Sequence, residues 1–504
     1  MLNTILSLFF KKRLSQIERF KNHPFEAQEI WLQKLISDGQ YTCFGQAHHF
    51  KEIKTAAQFR ERVPVMPYEK IFPYIERSMR GEKNVLWPGR HMWFSKSSGT
   101  TNARSKFIPV TKASLHDCHF KGGLDLYSIY ISSYESSNLW KGKGLGIGGS
   151  HQANEWDPSG RSRYGDISAI LMQCSPAWAR LIRSPSLPVA LLSNWEEKIK
   201  LMAQETARQN ITHIAGVPTW TVLLLQHLLK QENKNSIEEI WPNLEVFFHG
   251  AVSFAPYKNL FQSVIKRPDM RYWETYNASE GFFGVQDVPN ASDMLLLLDH
   301  GIYYEFIPLE EMEKEFPAVL DLSQIEAGKN YALVISTNGG LWRYLIGDTI
   351  KFTSTKPFRI KVSGRTKHFI NAFGEEIIVE NAEEAITRAC EKTGAVMANY
   401  TAAPVFLDKG KQGGHEWVIE FHRRPENMQA FVEALDDTLR QVNSDYDAKR
   451  TGDLALLKPK VHVVKENTFY QWMKQRGKLG GQNKVPRLSN SREYLEEILS
   501  LNSG

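Results

Sequence analysis

From Leu191 onward the apolar positions alternate between helical and strand spacing, the rhythm expected of an α/β protein. Ser193 with Glu196 three residues on reads as a capping box and predicts a helix through about Arg208. The apolar run ITHIAGV (211–217) predicts a buried strand, and TWTVLLLQHLL (219–229) restores helical spacing. LEVFFHGA (244–251) and MRYWETYNASEG (270–281) predict two further strands, both ending in small or polar residues. In open α/β sheets the crevice beyond the strand carboxyl ends is where ligands bind. After residue 290 the helical spacing fades and two hairpins are expected. In one, MLLLL and IYYEFIP flank Asp299, His300 and Gly301; in the other, YALVIST and LWRYLIGD flank Asn338, Gly339 and Gly340. STKPFRIKVSG (near 355–364) reads as a boundary. Beyond it, helices near 380–392 and 425–443 alternate with strands at HFINAF, MANYTAAPVF, HEWVIEF and KVHVVK. The first residues, with apolar positions from Leu2 to Phe10 and then at Leu14, Ile17 and Phe20, predict an amphipathic helix capping the first domain, with a membrane-surface anchor as the alternative. The stretch is too short to span a bilayer and has neither a preceding basic residue nor a small-residue cleavage site.

Composition narrows the class. A chain of 504 residues has room for about two to four domains. With 42% hydrophobic and 23% charged residues it is neither a disordered nor a collagen-like chain nor a polytopic membrane protein. The balance of 62 Lys and Arg against 56 Asp and Glu leaves +6, too little over this length to call for a nucleic-acid partner. Cys43, Cys118, Cys174 and Cys390 are scattered without a CxxC pair, so neither a disulfide framework nor a zinc ribbon is indicated and a cytoplasmic location is expected.

Several stretches could carry chemistry. SKSSGTTNARSKFIPVT (95–111) is a hydroxyl-rich loop between an aromatic and an apolar strand. Converging amides and hydroxyls there, with the charge of Lys106, would suit phosphate oxygens, although an ordinary polar hairpin turn has the same composition. It is not a Walker A sequence. Gly144, Gly146 and Gly149 spell GxGxxG, but no apolar helix follows, so they read as structural glycines. HDCH (116–119) has metal-like spacing without a third ligand and reads as part of an amphipathic helix. GxSxG and HExxH are absent. YNASE (276–280) places a hydroxyl beside a carboxylate at Ser279 and Glu280, suited to a phosphate and its Mg²⁺. YLIGD (344–348) ends on Asp348, suited to a ribose diol. Each is short enough to be a satisfied turn; their order along the chain is what carries weight.

That ordered set resembles the adenylate-forming superfamily, and within it the Gretchen Hagen acyl-acid amido synthetases, or auxin-responsive promoter family. SSGTT with Lys106 is similar to the family's phosphate loop, YNASE to its second motif and YLIGD to its third. YYEFIP (303–308) and QNKVPR (482–487) add two further matches, and the likeness runs from about residue 90 to 490. The resemblance implies an adenylate-forming α/β fold: a large amino-terminal domain with a β-rich subdomain (1–360), a small mobile carboxyl-terminal α/β domain (361–504), and an active site between them. It implies that a carboxylic acid is adenylated by ATP with Mg²⁺ and the acyl group passed to an amine, usually an amino acid, with no nucleic acid and no membrane span involved. Carried over position by position, Ser97, Ser98, Gly99, Thr100, Thr101 and Lys106 take the phosphate-loop role. His249, Gly250 and Ala251 line the adenine, and Tyr276 stacks near the base beside Asn277. Ser279 lies near phosphate, Glu280 on Mg²⁺, Asp348 on the ribose and Arg365 on the hinge side. Lys484, in a glycine-flanked basic loop that could equally be plain solvated surface, meets the attacked phosphate. Lys484, Glu280 and Lys106 are the catalytic candidates, and the acid pocket is placed around Leu124, Tyr127 and Tyr130, where core packing is the alternative.

The chain departs from the family pattern at Thr101, at Ala103 and above all at Leu345, which stands where YRxGD has arginine, with Arg343 two residues earlier. Two other outcomes stay open on sequence: an acid–coenzyme A ligase, because the superfamily motifs do not define the acceptor, and a catalytically silent nucleotide-binding scaffold, motivated by Leu345.

Overall fold

A computed structural model describes the chain except for residues 1, 98–105, 252–253, 255–256, 313, 315, 366–368, 376, 407–412, 454, 477–484 and 503–504. Its framework is one mixed sheet of eleven strands. Arg183–Ser184, Lys143–Gly146, Ile211–Gly216, Val246–His249 and Arg271–Ala278 lie side by side and parallel. From Arg271–Ala278 the sheet continues antiparallel through Gly281–Val285, Met294–Leu296, Phe358–Arg365, Tyr344–Thr355, Asn330–Thr337 and Ile302–Pro308. Val246–His249 is buried at every position because its parallel neighbours carry helices on both faces. Phe247 packs with Ile214, Leu225 and Trp241 on one side, while Phe248 packs with Tyr130 and Trp273 on the other.

The amino-terminal helix Leu2–Asn22 caps the second of these cores, burying Ile17 and Phe20. Its Arg13 reaches between two carboxylates, donating from Nη2 to Asp125 Oδ2 at 2.9 Å and to Asp299 Oδ1 at 2.9 Å. A second sheet runs in the order Lys106–Val110, Trp93–Ser97, Arg163–Gly165, His151–Ala153, and its first two strands form the antiparallel pair that brackets the hydroxyl-rich loop, with Ser97 opposite Lys106.

Past residue 370 the three-stranded sheet Val396–Val405, Gly414–Arg423, Lys460–Val464 carries the helices Val379–Thr393 and Met428–Val442. Ile370, Phe373, Tyr400, Trp417 and Phe431 belong to the same apolar cluster as Phe247 and Tyr257, and the Tyr257 hydroxyl donates to the Ala372 carbonyl. Among the described residues no helix is long and apolar enough to cross a membrane.

Two local expectations are corrected. The helix Trp195–Thr206 is capped by Asn194, which accepts from Glu197 N, not by Ser193. Met294–Leu296 does not form a hairpin with Ile302–Pro308: it pairs with Gly281–Val285 and Phe358–Arg365, while Ile302–Pro308 pairs with Asn330–Thr337. The intervening Asp299 and His300 are held by Arg13, Lys121 and Asp125, so the chain crosses the sheet there instead of turning back on itself. Phe358–Arg365, in the stretch read as a boundary, pairs with Tyr344–Thr355. The Asn338–Gly340 hairpin forms as expected. The GxGxxG glycines are steric: a Cβ on Gly144 would lie 2.2 Å from His213 Nε2, and one on Gly149 would collide with Asp166.

Candidate active site

At the carboxyl edge of the parallel half, Val246–His249 ends beside Glu274 of its parallel neighbour, which runs on to Ala278. His249 is buried there, its ring stacked on Phe254 with centroids 4.3 Å apart, and burial pushes its imidazole down to about 3, so it is neutral. Gly250 follows because the backbone passes too close for a side chain: a Cβ would meet the Thr275 carbonyl at 2.5 Å. Ala251 then takes a left-handed φ of 70°, unusual for a residue with a Cβ and a form of strain that clusters at ligand sites.

Three stretches far apart in sequence meet at this edge. Ser95, on the strand entering the hydroxyl-rich loop, donates to Ser279 Oγ at 2.8 Å. The Tyr276 hydroxyl donates to Asp348 Oδ2 at 2.5 Å, and both groups are buried. Lys106, on the strand leaving the loop, is buried and donates to the Tyr344 hydroxyl at 3.2 Å, with its ammonium 5.5 Å from the Tyr68 ring centroid. Tyr68 binds the next residue too, accepting from Phe107 N at 2.7 Å. Burial first, and then the nearby Glu280 carboxylate, hold the Tyr68 phenol above its usual range, which places Glu280 in the same neighbourhood. Asn277 is met from the covering helix by His119, Nδ1 to Oδ1 3.3 Å. His119 is buried, neutral, and pushed down to about 4 by that burial.

His119 gets there through a π-helical turn, Leu115–Phe120, that leads into the helix Lys121–Ser133. Such turns hold one extra residue and recur at functional sites. On that helix Leu124 and Tyr127 are partly exposed, whereas Tyr130 is fully buried and donates to Glu245 at 3.0 Å. Ser98, Gly99, Thr100, Thr101 and Lys484 lie outside the described residues, as does the Arg365 side chain; the Arg365 backbone is paired opposite Asp348.

Leu345 faces away from this assembly. Alternation along the strand puts it on the opposite face from Tyr344, against Ile307, Ala332 and Val334. Arg343 does not substitute for a missing motif arginine, because its guanidinium is buried on Glu305 (2.8 and 3.1 Å) and on the carbonyls of Arg60 and Val63. Ser95, Tyr68, Tyr344 and His119 were not singled out as site residues from sequence. Ser95, Tyr344 and His119 sat inside stretches already noticed, but nothing in the sequence marks Tyr68.

Among the described residues, Asp125, Asp299 and His300 form a group with metal-like proximity, but Arg13 and Lys121 already neutralise its carboxylates. The hydroxyls, buried ammonium and carboxylates at the strand edge are instead a donor set that fits a Mg²⁺-bound polyphosphate and a ribose.

Family models match the chain over most of its length: the GH3 family N-terminal domain at residues 13–270, the central domain at 295–365 and the C-terminal domain at 380–493. The chain belongs to the GH3 family. Among curated GH3 proteins it is similar to the indole-3-acetic acid-amido synthetase GH3.3 of Arabidopsis thaliana, 22% identical over 94% of this chain and 91% of the relative. It is also similar to the 4-substituted benzoates-glutamate ligase GH3.12 of Arabidopsis thaliana, 21% identical over 96% of each. Among solved structures the fold is similar to the AtGH3.15 acyl acid amido synthetase in complex with 2,4-DB, with a TM-score of 0.62 and 17% identity over 97% of this chain and 96% of that one. A 2-hydroxyisobutyryl-CoA ligase shares the fold at a TM-score of 0.55 and 13% identity, covering 95% and 92% of the two chains. The GH3 chain thus has the architecture of adenylate-forming ligases.

Proposed function

We propose that this GH3 chain is an ATP-dependent acyl-acid amido synthetase that adenylates a small carboxylic acid and transfers the acyl group to an amine, an amino acid by preference, in keeping with the amido-synthetase and glutamate-ligase names of its relatives. The observation that carries the reading is the meeting of Ser95 with Ser279, Tyr276 with Asp348 and Lys106 with Tyr344 at one strand edge. In the first step a carboxylate oxygen bonds to the α-phosphorus, the bond to the bridging oxygen breaks, and pyrophosphate leaves. In the second the amine nitrogen attacks the acyl carbon, AMP departs with the oxygen, and the nitrogen releases a proton.

The first step sets negative charge against negative charge, so it calls for electrostatic stabilisation and no general base. Mg²⁺ would supply part of it by neutralising phosphate oxygens, with Glu280 as its protein carboxylate. Lys106 and the hydroxyls of Ser97, Ser98, Thr100, Thr101 and Ser279, with the Gly99 amide, supply the rest. Asp348, held by Tyr276, accepts from the ribose, and His249, Gly250 and Ala251 form the adenine side with Tyr276 and Asn277. Arg365 sits at the hinge side, and Lys484 comes to the attacked phosphate from the carboxyl-terminal domain of residues 361–504.

The test is acid-dependent ATP/pyrophosphate exchange over a panel of carboxylic acids, followed by amide formation with amino acids for each acid that supports exchange. Amide product with at least one pair is the expected result. Exchange followed by acyl transfer to coenzyme A and to no amine would replace the assignment with a thiol ligase. ATP binding without exchange across the panel would replace it with a silent scaffold.

A further inference from the structure

On the helix Lys121–Ser133 and the turn before it, His119, Gly123 and Tyr127 recur every fourth residue and share one face. That face lies along the sheet surface formed by alternate residues of the parallel strands, among them Ala215, Phe248 and Trp273, which are aligned by register. Two contacts pin it. At one end His119 meets Asn277; about 12 Å along the helix axis, at the other, the Tyr127 hydroxyl lies 3.2 Å from His213 Nε2. Between the pins the helix offers Gly123, where an added Cβ would meet nothing within 4 Å. The sheet offers Ala215 there, small and partly exposed. A narrow slot therefore starts at the Asn277 edge and ends at Tyr127, whose ring stands edge-on to Phe248.

A chain of hydrogen bonds from Thr212 through His213 to Tyr127 sets the polarity of the slot's far end. The Thr212 hydroxyl lies 2.7 Å from the Leu139 carbonyl and 3.5 Å from that of Lys143, groups that only accept, so its hydrogen is committed to them. Its oxygen, 3.1 Å from His213 Nδ1, must then accept the hydrogen of that nitrogen. His213 is buried, and its imidazole is held neutral, pushed down to about 3, so Nε2 carries a lone pair. The Tyr127 hydrogen goes to that lone pair, which leaves its oxygen only lone pairs to present to the slot.

We propose that Tyr127 is a specificity-determining residue that accepts a hydrogen bond from the far end of the acid, so that the enzyme selects carboxylic acids bearing a hydroxyl, amino or ring N–H group there. The assignment rests on the adenylating reading of the site. An acid ending in a methoxy or nitro group would bring lone pairs against lone pairs and be rejected, because the relay through His213 and Thr212 prevents the phenol from turning its hydrogen outward.

The test uses the full chain and matched acids in ATP/pyrophosphate exchange: 4-hydroxyphenylacetate against 4-methoxyphenylacetate, 4-aminobenzoate against 4-nitrobenzoate, and indole-3-acetate against benzofuran-3-acetate. The native protein is expected to favour the donor-bearing member of at least one pair about tenfold or more in kcat/KM, and Tyr127→Phe to bring that ratio to about one. His213→Leu, which frees the phenol hydrogen, is expected to raise the acceptor-bearing member relative to its partner; thermal melting confirms that each variant is folded, and Tyr127→Phe decides alone if His213→Leu is not. A native preference for the acceptor-bearing acids, or a donor preference unchanged in Tyr127→Phe, overturns the role of Tyr127 and leaves the adenylating function standing. Exchange with no acid at all overturns both.

Discussion

Replacing Arg343 with methionine would remove a buried cation and keep most of its apolar volume. In the native protein the guanidinium makes two hydrogen bonds to Glu305 and two to the carbonyls of Arg60 and Val63, and both side chains of the pair are almost fully buried. Leaving a buried carboxylate without its partner costs about 3–5 kcal/mol, and each abandoned carbonyl about 1 kcal/mol. The expected loss of about 5–7 kcal/mol is comparable with the whole stability of many domains. Urea unfolding followed by tryptophan fluorescence reads it directly, because Trp342 is fully buried beside the altered residue. The double variant Arg343→Met with Glu305→Gln should recover much of the loss, since the unpaired charge is gone. The pH dependence has a definite sign. Burial already pushes the Glu305 carboxyl up, and without Arg343 it rises further above its unfolded value. In that window the folded state binds more protons than the unfolded one, so the single variant gains stability as pH falls from 7 to 5 relative to native protein. A loss under 1 kcal/mol, or a double variant as unstable as the sum of the singles, would refute the account.

Leu345→Arg, restoring the family residue on the outer face, is expected to change pyrophosphate exchange by less than about threefold, whereas a gain on the order of 10² would mean that the position reaches the nucleotide. Lys484→Ala is expected to slow adenylation by on the order of 10² to 10³, the effect of losing one charge-stabilising donor, and near-normal exchange would remove it from the mechanism. His91, His119, His213 and His249 are held neutral by burial at about 4, 4, 3 and 3, below the unfolded value. The unfolded chain therefore takes up more protons as pH drops below about 6.5, and stability falls by about 2 kcal/mol per histidine between pH 7 and 5. Urea midpoints at pH 7, 6 and 5 should show this fall, and a flat profile would contradict it.

Much of the fold was legible because burial writes itself into spacing. The runs at 211–216 and 246–249 are mostly apolar and buried or partly buried at every position since both faces of the parallel strands are covered, and the helices at 218–232, 379–393 and 428–442 keep helical spacing. Pairing partners were not legible. Met294–Leu296 and Ile302–Pro308 look like two arms of a hairpin, yet between them Asp299 is claimed by an arginine nearly 290 positions away and His300 by Asp125. The site motifs were visible as short strings, and their convergence was readable only through resemblance to a family. Tyr68 escaped because a tyrosine that binds a backbone amide across the fold leaves no periodic trace. The contribution of Gly123 lies in what it omits, and no pattern of side chains announces an open space.

The π-helical turn at Leu115–Phe120 has a consequence for how this protein could change. A residue added to a helix rotates everything beyond it by about 100°. Taking one residue out of that turn would leave every slot-lining side chain in the sequence and yet swing Gly123 and Tyr127 off the face they now share, with Tyr130 and Asp125 turned out of the places they fill. The alignment of the slot is thus set upstream of it, by chain length. For this enzyme a single-codon insertion or deletion is as direct a route to a different acid as exchanging the residues that would touch it.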